Sequence, residues 1–315
     1  MSGAGAPAPG SPGAPSVGAA TPQDRAALAQ LAEAAGVPAP DPGRTWVARG
    51  PAGDLLAFLT ERPQPPGAGG RHLEAPVVRG SAPSVDGDRL ALHLLRATLG
   101  TAAGSRGGVA LSRRELPPAA GGAPAAQVHA PDRLLAREGL QPWLHRFEMR
   151  HPLTGTAPPP SLRFSSFRPS RDPAFAGLYR ASFRGSLDRG AAAAGADPGA
   201  SWAALRRGAG LAAWRWWFCL EDPVRGPVGL CCLTPTGATG GARVHYLGVV
   251  PSARGRGHGR RLAEEAVRRA GALGARELVL EVDRENTPAL GAYRAAGFVL
   301  GHPVTVFAAG AGAGS

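Results

Sequence analysis

The sequence has no lysine and no isoleucine, one asparagine (Asn286), three tyrosines (Tyr179, Tyr246, Tyr293) and three cysteines in 315 residues. Without lysine a Walker-type phosphate loop is excluded. Cys219, Cys231 and Cys232 are odd in number and offer no CxxC spacing, so neither a zinc site nor a disulfide framework is expected, in keeping with a reducing compartment. Cys231 and Cys232 adjoin in a strand-like stretch, where neighbours point to opposite faces, and are read as small apolar packing residues. No apolar run approaches the ~18 residues of a membrane span. Residues 1–20 hold no arginine and no leucine-rich stretch and do not resemble a secretory signal, so they are expected to form a disordered tail of a cytoplasmic protein.

What is abundant is arginine, glycine and proline. The formal net charge is +12 and the pI near 11.2, a balance that ordinarily raises nucleic acid as a partner. The scarce residues (Lys, Ile, Asn, Tyr) share AT-rich codons, however, so the basicity is in part a coding effect of a GC-rich genome. Nucleic acid is therefore not expected, and the positions of Asn286, Tyr246 and Tyr293 gain interest. Glycine (46) and proline (32) make up about a quarter of the chain, yet 43% of residues are hydrophobic and six are tryptophan, which permits packed cores. The length suits two domains.

Periodicity and breakers predict helices over Asp24–Ala35, Gly87–Leu99 and Pro131–Glu138, with strands at Thr45–Arg49, Leu55–Thr60 and Leu144–Met149. The proline-rich His151–Ser161 reads as a linker. Beyond it, helices are expected over Asp172–Phe183 and Ser201–Arg207, then an aromatic-rich strand Leu211–Leu220 and a return strand Pro227–Leu233. In that first strand Trp214, Trp216 and Phe218 alternate with Arg215, Trp217 and Cys219, and core packing is the reading for one face. Next come a strand Arg243–Val250, a helix Arg260–Ala272, a strand Glu277–Val282, a helix Thr287–Ala296, and a strand pair within Phe298–Phe307 broken near Gly301 and Pro303. The order describes an α/β fold of the mixed-sheet, α+β kind, with helices packed on a central sheet.

Between a strand and a helix, Arg254-Gly255-Arg256-Gly257-His258-Gly259 offers consecutive backbone N–H groups at the positive end of a helix dipole, an anion-binding arrangement. The glycines alternate, unlike a dinucleotide fingerprint, and no acidic residue stands suitably after the next strand to take a ribose. Val249-Val250-Pro251 through Arg260 resembles the R/Q-x-x-G-x-G/A motif of the GNAT superfamily of N-acetyltransferases. Asn286-Thr287-Pro288-Ala289 through Tyr293 and Gly297-Phe298 is similar to that family's second signature, N-x-x-A-x-x-x-Y-x-x-x-G-F, and follows about 27 residues later in the right order. The resemblance covers roughly residues 161–308.

The resemblance implies an acetyl-CoA-dependent N-acetyltransferase in which a primary amine attacks the thioester directly within a ternary complex. Backbone groups of Leu247-Gly248-Val249 would hold the thioester carbonyl. The loop Arg254, Gly255, Arg256, Gly257, His258, Gly259 and Arg260 would hold the pyrophosphate of coenzyme A, and Asn286 the pantetheine region. Tyr293 would protonate the departing thiolate, in addition to packing on its helix, and Asn286 is also placed to cap its helix. Many relatives carry a general-base glutamate at the place of Arg243. His245, on the same face of an ideal strand, is the substitute expected, with Glu221, Asp222, Asp188 and Tyr246 as further candidates. No metal is expected, and the acceptor is a small-molecule or peptide amine. The alternative is an acyl-CoA-binding sensor or scaffold that lacks a base.

The first half repeats the pattern weakly. Pro131–Leu140 can be laid on Ala289–Phe298 through Gly139 and Gly297, with Leu135 at the place of Tyr293 and Val128 at that of Asn286. Asp86-Gly87-Asp88-Arg89-Leu90 can be laid on His258–Leu262, with acidic residues where phosphate would bind. The expected organisation is a tail (1–20), a degenerate GNAT-like domain (21–150), a linker (151–160), a catalytic GNAT domain (161–308) and a flexible tail (309–315). This layout is similar to the mycothiol synthase family of tandem GNAT enzymes, whereas Phe183–Asp188 resembles a stretch of other tandem GNAT proteins and points away from it.

Overall fold

The computed structural model describes residues 15–35, 37, 39–62, 70–79, 87–100, 108–114, 126–128, 131–154, 162–190, 196–236 and 240–309. They fall into two compact units, one drawing on residues up to Arg62 and on Arg71–Gln141, the other on Pro142–Phe307. Of the tails expected at 1–20 and 309–315, residues 1–14 and 310–315 lie outside the described residues, as do linker residues 155–160; against the expectation, Ser16–Ala19 form a strand paired with Trp46–Arg49, and Ala309 ends the last strand.

The first unit contains β1 (Ser16–Ala19), α1 (Arg25–Ala34), β2 (Thr45–Arg49), β3 (Leu55–Arg62), β4 (Gly70–Glu74), β5 (Val77–Arg79), α2 (Gly87–Gly100), β6 (Gly108–Arg114), β7 (Ala126–Val128) and α3 (Asp132–Arg137). β1, β2 and β3 pair in antiparallel order, β3 also meets β4 and β5, and β5 pairs with β7. α1 buries Leu28, Leu31 and Ala32, a helical stripe, against Val47, Phe58 and Val77 of these strands.

The second unit contains β8 (Leu140–Pro152), β9 (Arg163–Ser166), α4 (Asp172–Ser182), α5 (Pro198–Ala213), β10 (Phe218–Asp222), β11 (Gly226–Thr236), β12 (Gly241–Val249), α6 (His258–Ala272), β13 (Glu277–Asp283), α7 (Thr287–Ala295) and β14 (Val299–Ala309). Its sheet runs β9-β10-β11-β12-β13-β8-β14. β9, β10, β11 and β12 pair in antiparallel succession, β13 pairs antiparallel with β8, and β12 pairs parallel with β13. The adjacent cysteines report the layering. Cys231 lies near Glu265 and Arg269 of α6, and Cys232 near Tyr179 of α4, so these two helices cover opposite faces.

Three further expectations are corrected. Leu211–Leu220 is not one strand: α5 runs on through Ala213, a tight helical turn holds Trp214–Trp216, and only Phe218 begins β10. The alanine- and leucine-rich lead-in favours helix, and the alternating aromatics mark burial on a turn instead of strand period. Trp217 and Phe218 are core residues, with the Trp217 indole donating to the Leu233 carbonyl at 3.0 Å. The strand pair expected after Phe298 is the single strand β14, which passes Gly301 and Pro303 unbroken. His151 and Pro152, expected in the linker, end β8, which pairs residue for residue with β13 from Arg146↔Asp283 to Pro152↔Glu277.

Candidate active site

The parallel ladder between β12 and β13 holds at Ala242↔Leu278 and Arg243↔Val279 and goes no further, although both strands continue. β12 therefore runs from Tyr246 to Val249 along an open edge. On its other side it stays paired with β11, Gly248 opposite Leu230, and the Val250 N–H donates to Val228 at 2.9 Å. In an antiparallel ladder successive N–H groups alternate between the two sides. Val250 and Gly248 thus face β11, which leaves the N–H groups of Leu247 and Val249 directed into the opening.

A short helical turn, Pro251–Ala253, follows β12, and then the glycine loop. Gly255 and Gly257 have φ of 73° and 77°, a left-handed backbone that glycine adopts without strain, and a Cβ built on either would meet nothing within 4 Å. Gly257 is the N-cap of the 15-residue α6 and brings no side chain to cap the first N–H groups of that helix. The His258 Nδ1 is buried there without a hydrogen-bond partner. An open cleft of about 470 Å³ lies beside the loop, lined by Arg184, Gly185, Val250, Pro251, Ser252 and Arg254. Gly259 serves packing: its Cβ position lies 3.7 Å from Ala292 of α7.

Residues 191–298 match the model of the Acetyltransferase (GNAT) family. The second unit contains a GNAT acetyltransferase domain. A mycothiol acetyltransferase of Catenulispora acidiphila is 29% identical over 195 residues, 56% of each chain, so the match spans little more than half of that relative. A GCN5-related N-acetyltransferase from Sphaerobacter thermophilus superposes over 93% of this chain and 95% of its own with a TM-score of 0.64 at 20% identity. A tandem GNAT protein of the clavulanic acid biosynthesis pathway covers 86% and 83% with a TM-score of 0.50 at 15% identity. Both likenesses bear on the fold.

Within the GNAT domain the polar motif residues take unequal places. Tyr293 is 8% exposed, its ring packed on Phe298, and burial pushes its phenol well above the ordinary value, with Cys231, Asp188 and Tyr246 adding to the rise. Asn286 caps α7, its Oδ1 accepting from Ala289 N–H at 3.3 Å. Arg254 is committed elsewhere than expected: it donates to the carbonyls of Val249 (3.1 Å), Gly185 (2.6 Å) and Ser182 (2.7 Å), tying the end of α4 to the end of β12. A guanidinium at a helix C-terminus satisfies carbonyls that the helix leaves open. Arg260 pairs with Glu264 one turn on, at 2.7 Å.

At His245 the strict alternation of β12 is interrupted. Cys232 pairs with Tyr246 but Leu233 with Val244, so His245 is the extra residue of a β-bulge. Arg243 shares Glu281 with Arg146, which also approaches Asp188 beyond α4, and Tyr246 touches Ser182 of α4. Beyond the bulge, Tyr246 lies on the α4 face. Two other base candidates are occupied. Ser165, then Arg171, holds the Glu221 carboxyl below the usual range, and the backbone N–H groups of Arg225 and Val224 do the same for Asp222. Sequence reasoning missed Ser182 entirely, since its contact with Tyr246 spans 64 residues and no motif announces it.

Among the described residues no helix is long and apolar enough to cross a membrane, and no group of three or more His, Cys, Asp or Glu is disposed to hold a metal ion.

Proposed function

We propose that the chain transfers an acetyl group from acetyl-CoA to a primary amine of a small molecule or peptide by direct attack in a ternary complex, with the second unit performing the chemistry and the first a degenerate copy. The observation that carries this reading is the open edge of β12 beside an unobstructed helix N-terminus. N–H groups of Leu247 and Val249 meet the thioester carbonyl, whose oxygen gains charge as the amine attacks. The backbone of Gly255, Gly257 and the first turn of α6 takes the pyrophosphate. Arg256 and Arg260 add exposed charge. Asn286 fixes the start of α7 and so the place of Tyr293. The phenol, kept protonated by burial, gives its proton to the thiolate as the C–S bond breaks; the proton that the amine nitrogen sheds on becoming the amide passes to solvent, from which the phenolate is reprotonated. Arg254 acts through the backbone it ties down.

Arg243, in an ion pair at 3.3 Å with Glu281 where the resemblance implies a base, favours a second reading, an acyl-CoA-binding sensor. Thioester cleavage followed with a thiol reagent separates the two. Release of coenzyme A stimulated by primary amines is the expected result, and tight acetyl-CoA binding with no cleavage in a broad amine screen establishes the sensor.

A further inference from the structure

The Ser182 hydroxyl donates to the Tyr179 carbonyl at 2.7 Å, which uses its only proton. With that proton on the Tyr179 carbonyl, Tyr246 is the donor of its 2.5 Å contact with the Ser182 hydroxyl, whose geometry by itself admits either direction. The Tyr246 oxygen is left with acceptor lone pairs and no proton to give elsewhere. Its ring is clamped by Tyr179 and Phe183, with centroids 4.6 and 5.4 Å away, so the oxygen cannot wander. That oxygen stands 2.7 Å from where a Cβ on Gly248 would be, and Ser182 Oγ is equally close, so only glycine fits beneath the pair. Gly248 lies between Leu247 and Val249, whose N–H groups face the opening.

We propose that Tyr246 is a further catalytic residue: its oxygen accepts a hydrogen bond from an N–H of the attacking amine and so directs the nitrogen lone pair at the thioester carbon. Ser182 is the positioning residue that fixes the direction of the Tyr246 proton. No proton is transferred to Tyr246, whose buried phenol oxygen serves only as an acceptor. The role needs an acceptor that carries at least one N–H, and it rests on the acetyl-transfer reading above.

The test compares aminolysis with the slow hydrolysis of acetyl-CoA, using phenethylamine, glucosamine and a short peptide with a free N-terminus as probes. Tyr246→Phe keeps the ring and removes the oxygen. It should lower kcat/KM for the amine about 10- to 100-fold, leave the acetyl-CoA dissociation constant within about twofold, and spare hydrolysis. Ser182→Ala, which releases the Tyr246 proton, should cost less, about 3- to 10-fold, with the same split. A merely structural pair would instead weaken coenzyme binding and hydrolysis together with aminolysis, and that result overturns the inference, as does aminolysis unchanged in Tyr246→Phe. Should Tyr246→Phe fail to fold by circular dichroism, Ser182→Ala decides on the same criteria. If the wild-type chain cleaves acetyl-CoA with none of the amines, the acetyl-transfer reading falls and this inference with it.

Discussion

The two units solve the same corner with different residues. Where the first ends, α3 stops at Gly139 (φ 75°) and the chain turns into β8, the opening strand of the second; within the second, α7 ends at Gly297 (φ 89°) and turns into β14. The left-handed glycine is common to both because a helix needs such a residue to reverse into a strand. The polar residues are not. Leu135, fully buried, stands in α3 where Tyr293 stands in α7, and α3 starts at Pro131 with no side-chain cap where Asn286 caps α7. The helix N-termini differ likewise. Asp88 occupies the first turn of α2 and forms an ion pair with Arg133, so that end carries its own anion, whereas α6 opens on bare glycine. The helix-to-strand corner calls for the glycine in both places, whereas the hydroxyl, the capping amide and the bare glycine N-cap belong to the second.

The largest test of that difference is Tyr293→Phe. Removing the proton donor is a transition-state loss, so kcat should fall about 10²- to 10⁴-fold while acetyl-CoA affinity holds. Its counterpart Leu135→Ala should leave kcat and coenzyme affinity as they are and cost about 2–5 kcal/mol of stability, the usual range for emptying a buried leucine site. Steady-state kinetics and urea unfolding read both. An unaltered kcat for Tyr293→Phe, measured where chemistry limits the rate, would mean that the thiolate leaves without help from α7.

Next is Gly257→Val, which forces a branched residue into a left-handed N-cap and crowds the open loop. Coenzyme affinity by calorimetry should weaken about 10- to 100-fold, against a few-fold at most for Arg256→Ala, whose exposed charge is screened. Equal losses would assign the pyrophosphate to side-chain charge.

These motif residues were legible because their chemistry depends on local spacing. The glycine loop, Asn286 and Tyr293 each lie within a dozen residues of the partners that define them. What stayed hidden was set by distant chain. β8 belongs with β13, more than 120 residues away, and pairing at that range leaves no periodicity to read. The bulge at His245 depends on the register with β11, and a one-residue slip changes which side chain faces α4. Trp214 and Trp216 misled because alternation over a few aromatics fits strand and turn alike. Arg254 sits in the motif, yet its side chain answers to the end of α4, 69 and 72 residues earlier.

A smaller effect separates the two corner glycines. A Cβ on Gly139 meets nothing within 4 Å, so Gly139→Ala should cost only the left-handed strain, about 1–2 kcal/mol. A Cβ on Gly297 would lie 2.9 Å from His151 Nε2, in a ring held against Phe298, so Gly297→Ala should cost more than Gly139→Ala in urea unfolding. Equal losses would show that His151 yields without penalty.

The smallest expected change concerns acid. In the first unit the Arg49 guanidinium, 2.6 Å from Asp24, holds that carboxyl below its ordinary value, with bonds from the Thr21 backbone and hydroxyl assisting. In the second, burial of Glu265 would raise its carboxyl, but bonds from Arg268 and Arg269 outweigh that and leave it lowered. For both, the folded-state pKa lies below the unfolded one, about 4 for either carboxylate, so the stabilisation is complete above that value and lost as pH falls through the folded value. Asp24→Asn should therefore cost about 1 kcal/mol at pH 7, a modest figure for a pair whose arginine is partly in water, and progressively less below pH 4. Paired urea titrations at pH 7 and pH 3 measure the difference. A cost that stays constant between them would show that the introduced amide, and not the lost charge, accounts for the change, because only an ionised carboxylate carries a proton-linked contribution.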